Sequence, residues 1–353
     1  MGHPQCVVTV EGLEPRRLLS ANIANLTPVG LTPQQVRHAY GFDQVTFSAK
    51  GKTIVGNGKG QTIAIVNPFR APTITTDLRV FDKTFGISNR DGRGNFALSV
   101  AFPQGRPAVD GSWVQETSLD VEWAHAMAPA AHVLLVEAKS DSQADLFAAV
   151  NYARKKTGVT VVSMSWGWDM TSAPPASLYA PAITTPPKHL GGFKKGDGVT
   201  FVEAGGDNGL ATAWPDASVP IVSVGGTTLS LDASGNYAGE TLLPQSAGTA
   251  TVAYDADPNP GFAMYDSTPF QGTQGWQAGT GTSAGAPQWA ALIAVADQGR
   301  ALAGKHSLDG QSQTLPGLAS LPDSDFHPIT GGGASTGRGS PFADRVIGGL
   351  VTL

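Results

Sequence analysis

The run TIAIV at Thr62–Val66 is apolar, rich in β-branched residues and free of polar interruptions after its first position. A strand of that composition is buried on both faces, which is the situation of a strand inside a parallel sheet. Outward from it the same signal returns. HVLLVE at His132–Glu137, VTVVSMS at Val159–Ser165, the run Val199–Glu203 and the run Val219–Val224 all read as buried strands. Helical segments separate them. Thr76–Phe85 carries Leu78, Val80, Phe81 and Phe85, Glu116–Ala128 is ended by Pro129, and Asp141–Tyr152 turns Leu146, Val150 and Tyr152 inward. Strands alternating with helices define an α/β chain with a central, mostly parallel sheet flanked by helices. Thr32 and Pro33 open a short capped helix, with proline at the first helical position. Gly51–Gly60 reads as a turn, residues 228–270 as turns and short strands, and residues 171–198 as a long surface excursion. Two units are expected: a tail over residues 1–30, and one domain over residues 31–353.

Of 353 residues, 41% are hydrophobic and only 14% are charged, against about 25% charged in ordinary globular proteins. The chain can bury a large core. Its 44 glycines and 25 prolines imply many ordered turns. A net charge of −5 speaks against broad binding to nucleic acid or an anionic membrane. Cys6 is the only cysteine, so no internal disulfide forms, and no apolar run reaches the length of a membrane span. The segment EGLEPRRLLSAN is charged, is not a clear signal peptide, and resembles a short leader motif (LE-x-R-x-LLS) of exported and surface planctomycete proteins. An extracellular or cell-surface location and a monomeric state are the expectations.

Chemistry concentrates at TGTSAGAP, Thr280–Pro287, followed at once by the helix-forming run from Trp289 to Ala296. Gly281 and Gly285 leave Ser283 uncovered near a helix N-terminus, where free N–H groups favour developing negative charge. The plain alternative is that Ser283 merely caps the helix. A nucleophilic serine needs a base, and none of the seven histidines lies in a His-Gly-Thr motif. The chain offers Glu116 and Asp120 instead. Their spacing of four sets both carboxylates on one helix face, where like charges repel. The loops at Trp166, Asp207 and Gly225 each follow an expected strand, so all can share one cleft with Ser283.

Taken in order, these motifs resemble the sedolisin family, the serine-carboxyl peptidases. The resemblance is carried by LTPQQVRHAYGF, GKGQTIAIVNPF, DLRVFDKTFG, ETSLD, MAPAAHVLLVEA, SMSWGW, EAGGDNG, WPDASVPIVSVGGTTL and GTGTSAGAPQWAALIA. It implies a subtilisin-like three-layer fold and an acid-acting serine endopeptidase working on protein or peptide substrates. It places the nucleophile at Ser283, the general base at Glu116, the supporting carboxylate at Asp120 and the oxyanion-stabilising aspartate at Asp207. Trp166, Trp168 and Gly167 are candidates for contact with substrate, and His125 reads as structural.

The resemblance also implies three points of difference. Only residues 1–30 precede the catalytic region, where the family carries a long folded propeptide. Asn67 stands where some members extend the proton network with a glutamate. The family's structural calcium is expected near Ile329 and Asp344, but Pro328 occupies the first carboxylate position. The alternatives are a tripeptide-releasing exopeptidase, a catalytically silent relative with a binding role, and a histidine-based subtilase. The last needs a histidine near Glu116 and asparagine at position 207.

Overall fold

The apolar runs pair with one another, and the resulting sheet positions everything else. The computed structural model describes residues 23–167, 180–186, 197–207, 219–246 and 248–353. Trp168, most of the expected surface excursion and the first 22 residues of the expected tail lie outside the described residues. The N-terminal half contains β1 (Ile23–Asn25), α1 (Pro33–Ala39), β2 (Thr46–Ala49), β3 (Lys52–Val55), β4 (Thr62–Pro68) and α2 (Ile74–Phe85). It continues through β5 (Leu98–Ala101), α3 (Gly111–Met127), β6 (His132–Ala138), α4 (Gln143–Ala153) and β7 (Val159–Met164). Then follow β8 (Thr200–Ala204), β9 (Ile221–Leu231), β10 (Tyr237–Leu242), β11 (Val252–Asp255), β12 (Phe262–Phe270) and β13 (Thr273–Gly279). The chain closes with α5 (Thr282–Leu302), α6 (Leu315–Ser320), β14 (Phe326–His327), β15 (Ile329–Thr330), β16 (Ser340–Pro341) and α7 (Ala343–Thr352).

The central sheet runs in the order β5-β6-β4-β7-β8-β9-β10-β15, with β11 also paired to β9. From β5 to β9 every neighbouring pair is parallel. Every residue of β4 is buried, as its composition requires. Alternate residues feed two cores. Ile63, Ile65, Val161 and Val202 pack with α3 and α5 on one face; Ala64, Val66, Val162 and Phe201 pack with α4 on the other. The result is the three-layer, subtilisin-like arrangement.

Several boundaries differ from the sequence reading for local reasons. Residues expected as tail contribute β1, which adds in parallel to the edge of β13. Lys52–Val55 of the glycine-rich turn form strand β3, paired with β2. Lys50 and Gly51, both at positive φ, form the two-residue connection, the geometry that suits the strand twist of a hairpin. Helix α3 begins five residues before Glu116, because the Asp110 carboxylate accepts from the Ser112 and Trp113 N–H groups and caps it. That extra turn sets Glu116 inside a rigid helix and away from a fraying end. The capped helix at Pro33 forms as expected, with Thr32 and Gln35 completing a capping box. Among the described residues no helix is long and apolar enough to cross a membrane.

Candidate active site

The site lies at the carboxyl ends of β4, β7 and β8, where the connecting loops of a parallel sheet open. The part of α3 that carries Glu116 and Asp120 reaches these ends, and α5 starts beside them. Ser283 is the second residue of α5. The N-cap is Gly281, so Ser283 is not the helix cap, and its side chain is left to act. Gly281 has φ 90, and a Cβ there would stand 2.7 Å from Asp207 Oδ2. Gly285 has a similar role: its Cβ would stand 2.8 Å from Val224 Cγ1 and 2.9 Å from Tyr254 Cβ. The glycines around Ser283 thus permit two close approaches, one to a carboxyl group and one to the sheet.

Glu116 and Asp120 project from the same side of α3, one turn apart. Glu116 Oε1 is buried and has no hydrogen-bond partner. Burial pushes the Glu116 carboxyl up to about 7, while the Ser283 hydroxyl lying against it favours the ionised form and the Asp207 charge opposes it. The sequence brought no distance for these groups; the fold brings all three into one electrostatic cluster. Asp120 is fully buried. Burial raises its carboxyl well above the usual range, and the neighbouring Glu116 charge raises it further. Its Oδ2 accepts from Asn67 Nδ2 at 2.8 Å, and its Oδ1 accepts from the Ser165 hydroxyl at 2.8 Å. Asn67 therefore terminates this chain of groups as a donor that carries no titrating proton.

Asp207 follows β8. Its Oδ1 accepts from the Thr282 N–H at 2.8 Å, and the Thr282 hydroxyl accepts from the Gly206 N–H at 3.0 Å. Asp207 is open to solvent on one side, but partial desolvation against the N-terminus of α5 raises its carboxyl, against the Thr282 bonds that lower it. With Oδ1 committed to the helix N-terminus, Oδ2 is the oxygen left to carry a proton over Gly281.

The two residues named for substrate contact separate. Trp166 is 7% exposed. Its indole N–H donates to the Val66 carbonyl at 2.6 Å and its ring meets Phe147 edge-on. That packing holds the end of β7 against β4 and turns little of the ring to the solvent. Gly167 is exposed, with open space where a Cβ would stand. His125 is buried against α2, its Nε2 3.0 Å from the Ser88 carbonyl and 3.3 Å from Asp82. No histidine hydrogen-bonds Ser283 among the described residues. Ser165, which touches Asp120, is the group that sequence reading passed over. A serine after a strand gives no signal of its own.

The two residues expected to hold calcium, Ile329 and Asp344, do not line one cavity. A cavity of about 680 Å³ is lined by Pro328, Ile329, Gly332 and Gly333, but also by Arg338 and Arg345. Asp344 is not on that lining; its Oδ1 faces Gly41. The one carboxylate present, Asp323, is solvent-exposed and 3.0 Å from Arg338. Calcium takes about six to eight oxygens with carboxylates prominent, and two guanidinium groups oppose it. No group of three or more His, Cys, Asp or Glu side chains among the described residues is arranged to hold a metal. Arg338 instead bonds the Ala319 and Leu321 carbonyls and lies over the Phe326 ring, so a guanidinium holds this loop to the end of α6. The melting temperature is therefore expected to be the same with a chelator and with millimolar calcium. A site filled at about 100 times its Kd would add about 2.7 kcal/mol, so a rise of several degrees on adding calcium would contradict this.

The fold thus gathers a hydroxyl at a helix N-terminus, a buried carboxyl against it and a second carboxyl on the other flank. Residues 112–308, more than half of the chain, match the subtilase family, and the chain belongs to that family of serine peptidases. Among solved structures it is similar to Pseudomonas sedolisin, a serine-carboxyl proteinase solved with two molecules of pseudo-iodotyrostatin. The two are 19% identical, with a TM-score of 0.69 over 91% of this chain and 98% of that one. The prenylagaramide maturation protease PagA is 13% identical, with a TM-score of 0.54 over 84% of this chain and 95% of that one. The protease domain of PatA is 16% identical, with a TM-score of 0.52 over 84% and 98%. At these identities the likeness is one of fold. No curated protein matches the chain.

Proposed function

We propose that the protein is a serine-carboxyl endopeptidase acting on protein or peptide substrates in weakly acidic solution. The observation that carries this reading is the placement of the Glu116 carboxyl, one oxygen of it buried without a partner, against the Ser283 hydroxyl at the N-terminus of α5. Ser283 Oγ attacks the peptide carbonyl carbon and its proton passes to Glu116. The carbonyl oxygen gains negative charge and meets protonated Asp207 beside the N-terminus of α5. Glu116 then returns the proton to the leaving amine as the C–N bond breaks, which leaves an acyl group on Ser283. Water repeats the sequence and releases the acid. A general base or acid of this kind contributes about 100- to 10,000-fold, and one oxyanion donor about 100- to 1,000-fold.

The sequence alone, with an ordinary glutamate near 4.3, implies an acidic working range. Burial of Glu116 moves that expectation upward. The base must be ionised and the Asp207 donor protonated, so the rate rises as Glu116 ionises and falls as Asp207 does. Cleavage of a denatured protein from pH 3 to 8 tests this, with Ser283→Ala beside the wild type. A single maximum between about pH 5 and 7, abolished in the variant, is expected. A maximum at or above pH 8 would point to a base other than a carboxylate.

A further inference from the structure

We propose that Ser165 is a positioning residue of this site, bridging Asp120 to Glu116 through its hydroxyl. The inference rests on the peptidase reading given above for its meaning in catalysis, but its geometry stands apart from that. Glu116 and Asp120 lie one turn apart on α3, and the coupling between them is electrostatic. The link between them comes from outside the helix. Ser165 directly follows β7 and is 7% exposed. It donates to Asp120 Oδ1 at 2.8 Å and also lies against the Glu116 carboxyl.

A hydroxyl has one donor and two acceptor sites. It can accept from whichever of the two carboxyl groups holds a proton and donate to the other. Asn67 gives this bridge a direction. Its amide donates to Asp120 Oδ2 at 2.8 Å and its Nδ2 also reaches Thr117 Oγ1 at 3.3 Å. Oδ2 is thereby held as an acceptor, so a proton on Asp120 sits on Oδ1, facing Ser165. Asp120 then donates to Ser165, and Ser165 donates to the Glu116 carboxylate. The carboxylate is held ionised and aimed at Ser283 before attack. When the Ser283 Oγ–H bond breaks and the Glu116 O–H bond forms, the transferred proton stays on Glu116, the Asp120 and Ser165 protons keep their places, and the bridge holds the new carboxylic acid aimed at the leaving amine. Trp166, packed against Val66 and Phe147, fixes the backbone on which Ser165 sits.

The test uses full-length protein labelled with carboxyl-13C glutamate, with the Glu116 resonance assigned by its loss in Glu116→Gln. In Ser165→Ala the Glu116 titration midpoint is expected to rise by about one pH unit, the scale of one lost hydrogen bond to a charged group. Ser165→Thr, which keeps the hydroxyl, is expected to restore it. In peptide cleavage the ascending limb of the pH–kcat profile should move by the same amount, with KM unchanged. A folded Ser165→Ala protein with the wild-type midpoint would overturn the proposal. If the midpoint moves as expected but no variant and no wild type cleaves peptide, the bridge stands and the peptidase reading fails. If cleavage is present and neither midpoint nor limb moves, the peptidase reading stands and the bridge fails.

Discussion

Replacing Glu116 by glutamine is expected to lower kcat for peptide cleavage by about a thousandfold or more, with little change in KM. The amide keeps the size of the side chain and its place on α3 but cannot take the Ser283 proton. No histidine bonds Ser283 among the described residues, so no nearby imidazole replaces the carboxylate as base. The fold should not suffer. Glu116 Oε1 is buried without a partner, and a neutral amide there removes the cost of burying charge. Steady-state kinetics at pH 5 to 7 beside a melting curve checks both halves of the statement. A variant with near wild-type kcat would remove Glu116 from the mechanism. A large loss of kcat together with a collapsed melting temperature would show a structural role only.

The second large effect concerns stability. Among the described residues eleven buried side chains are carboxylic acids, against two buried arginines. Burial pushes Glu137 and Asp255 up to about 7 and Asp297 up to about 8. Glu203 is moved upward as well, and neither of its carboxyl oxygens has a hydrogen-bond partner. Each of these groups binds its proton more tightly in the folded chain than in the unfolded one. The stabilisation is complete below the ordinary carboxylate range, near pH 4, where both states are protonated. It declines as pH rises and is lost above the folded values, between about 7 and 8. One such group changes the folding free energy by about 1.4 kcal/mol per pH unit. Three titrating together span a typical total stability of about 5–15 kcal/mol within a few units. His327 works in the opposite sense: burial, with Arg345 nearby, holds it down to about 4, so its contribution fades as pH falls from 6.5 towards 4.

The melting temperature is therefore expected to be highest near pH 4 to 5 and to fall by more than about 10 °C by pH 8. Asp297→Asn should flatten that decline. A melting temperature that is constant or rising over the same range would contradict this account of the interior.

The central sheet was legible because its strands are buried on both faces and therefore read as unbroken apolar runs. The edges were not. β1 is a three-residue strand of mixed composition that exists because β13 offers it an unpaired edge. The β12–β13 hairpin carries Asp266, Ser267 and Gln274 through positions that do not alternate cleanly. In the site, Glu116, Asp120, Asp207 and Ser283 were singled out from motif order, and the fold gathers them. The Ser165 bridge was invisible because it depends on how far β7 extends beneath α3. The calcium expectation rested on Ile329 and Asp344, and only the packing shows that Arg338 and Arg345 occupy the same cavity. Trp166 was read for its ring, whereas its indole N–H and the ring itself are used in holding strand ends together.

The most direct measurement is to trap the acyl-enzyme. The protein would be mixed with an activated peptide ester near pH 5.5, quenched with acid and mapped by mass spectrometry. The account predicts one acyl group, on Ser283, formed at least a hundredfold more slowly in Glu116→Gln (about the lower bound for losing a general base). An adduct on another residue, or equal labelling of Ser283 in both proteins, would contradict the serine-carboxyl mechanism.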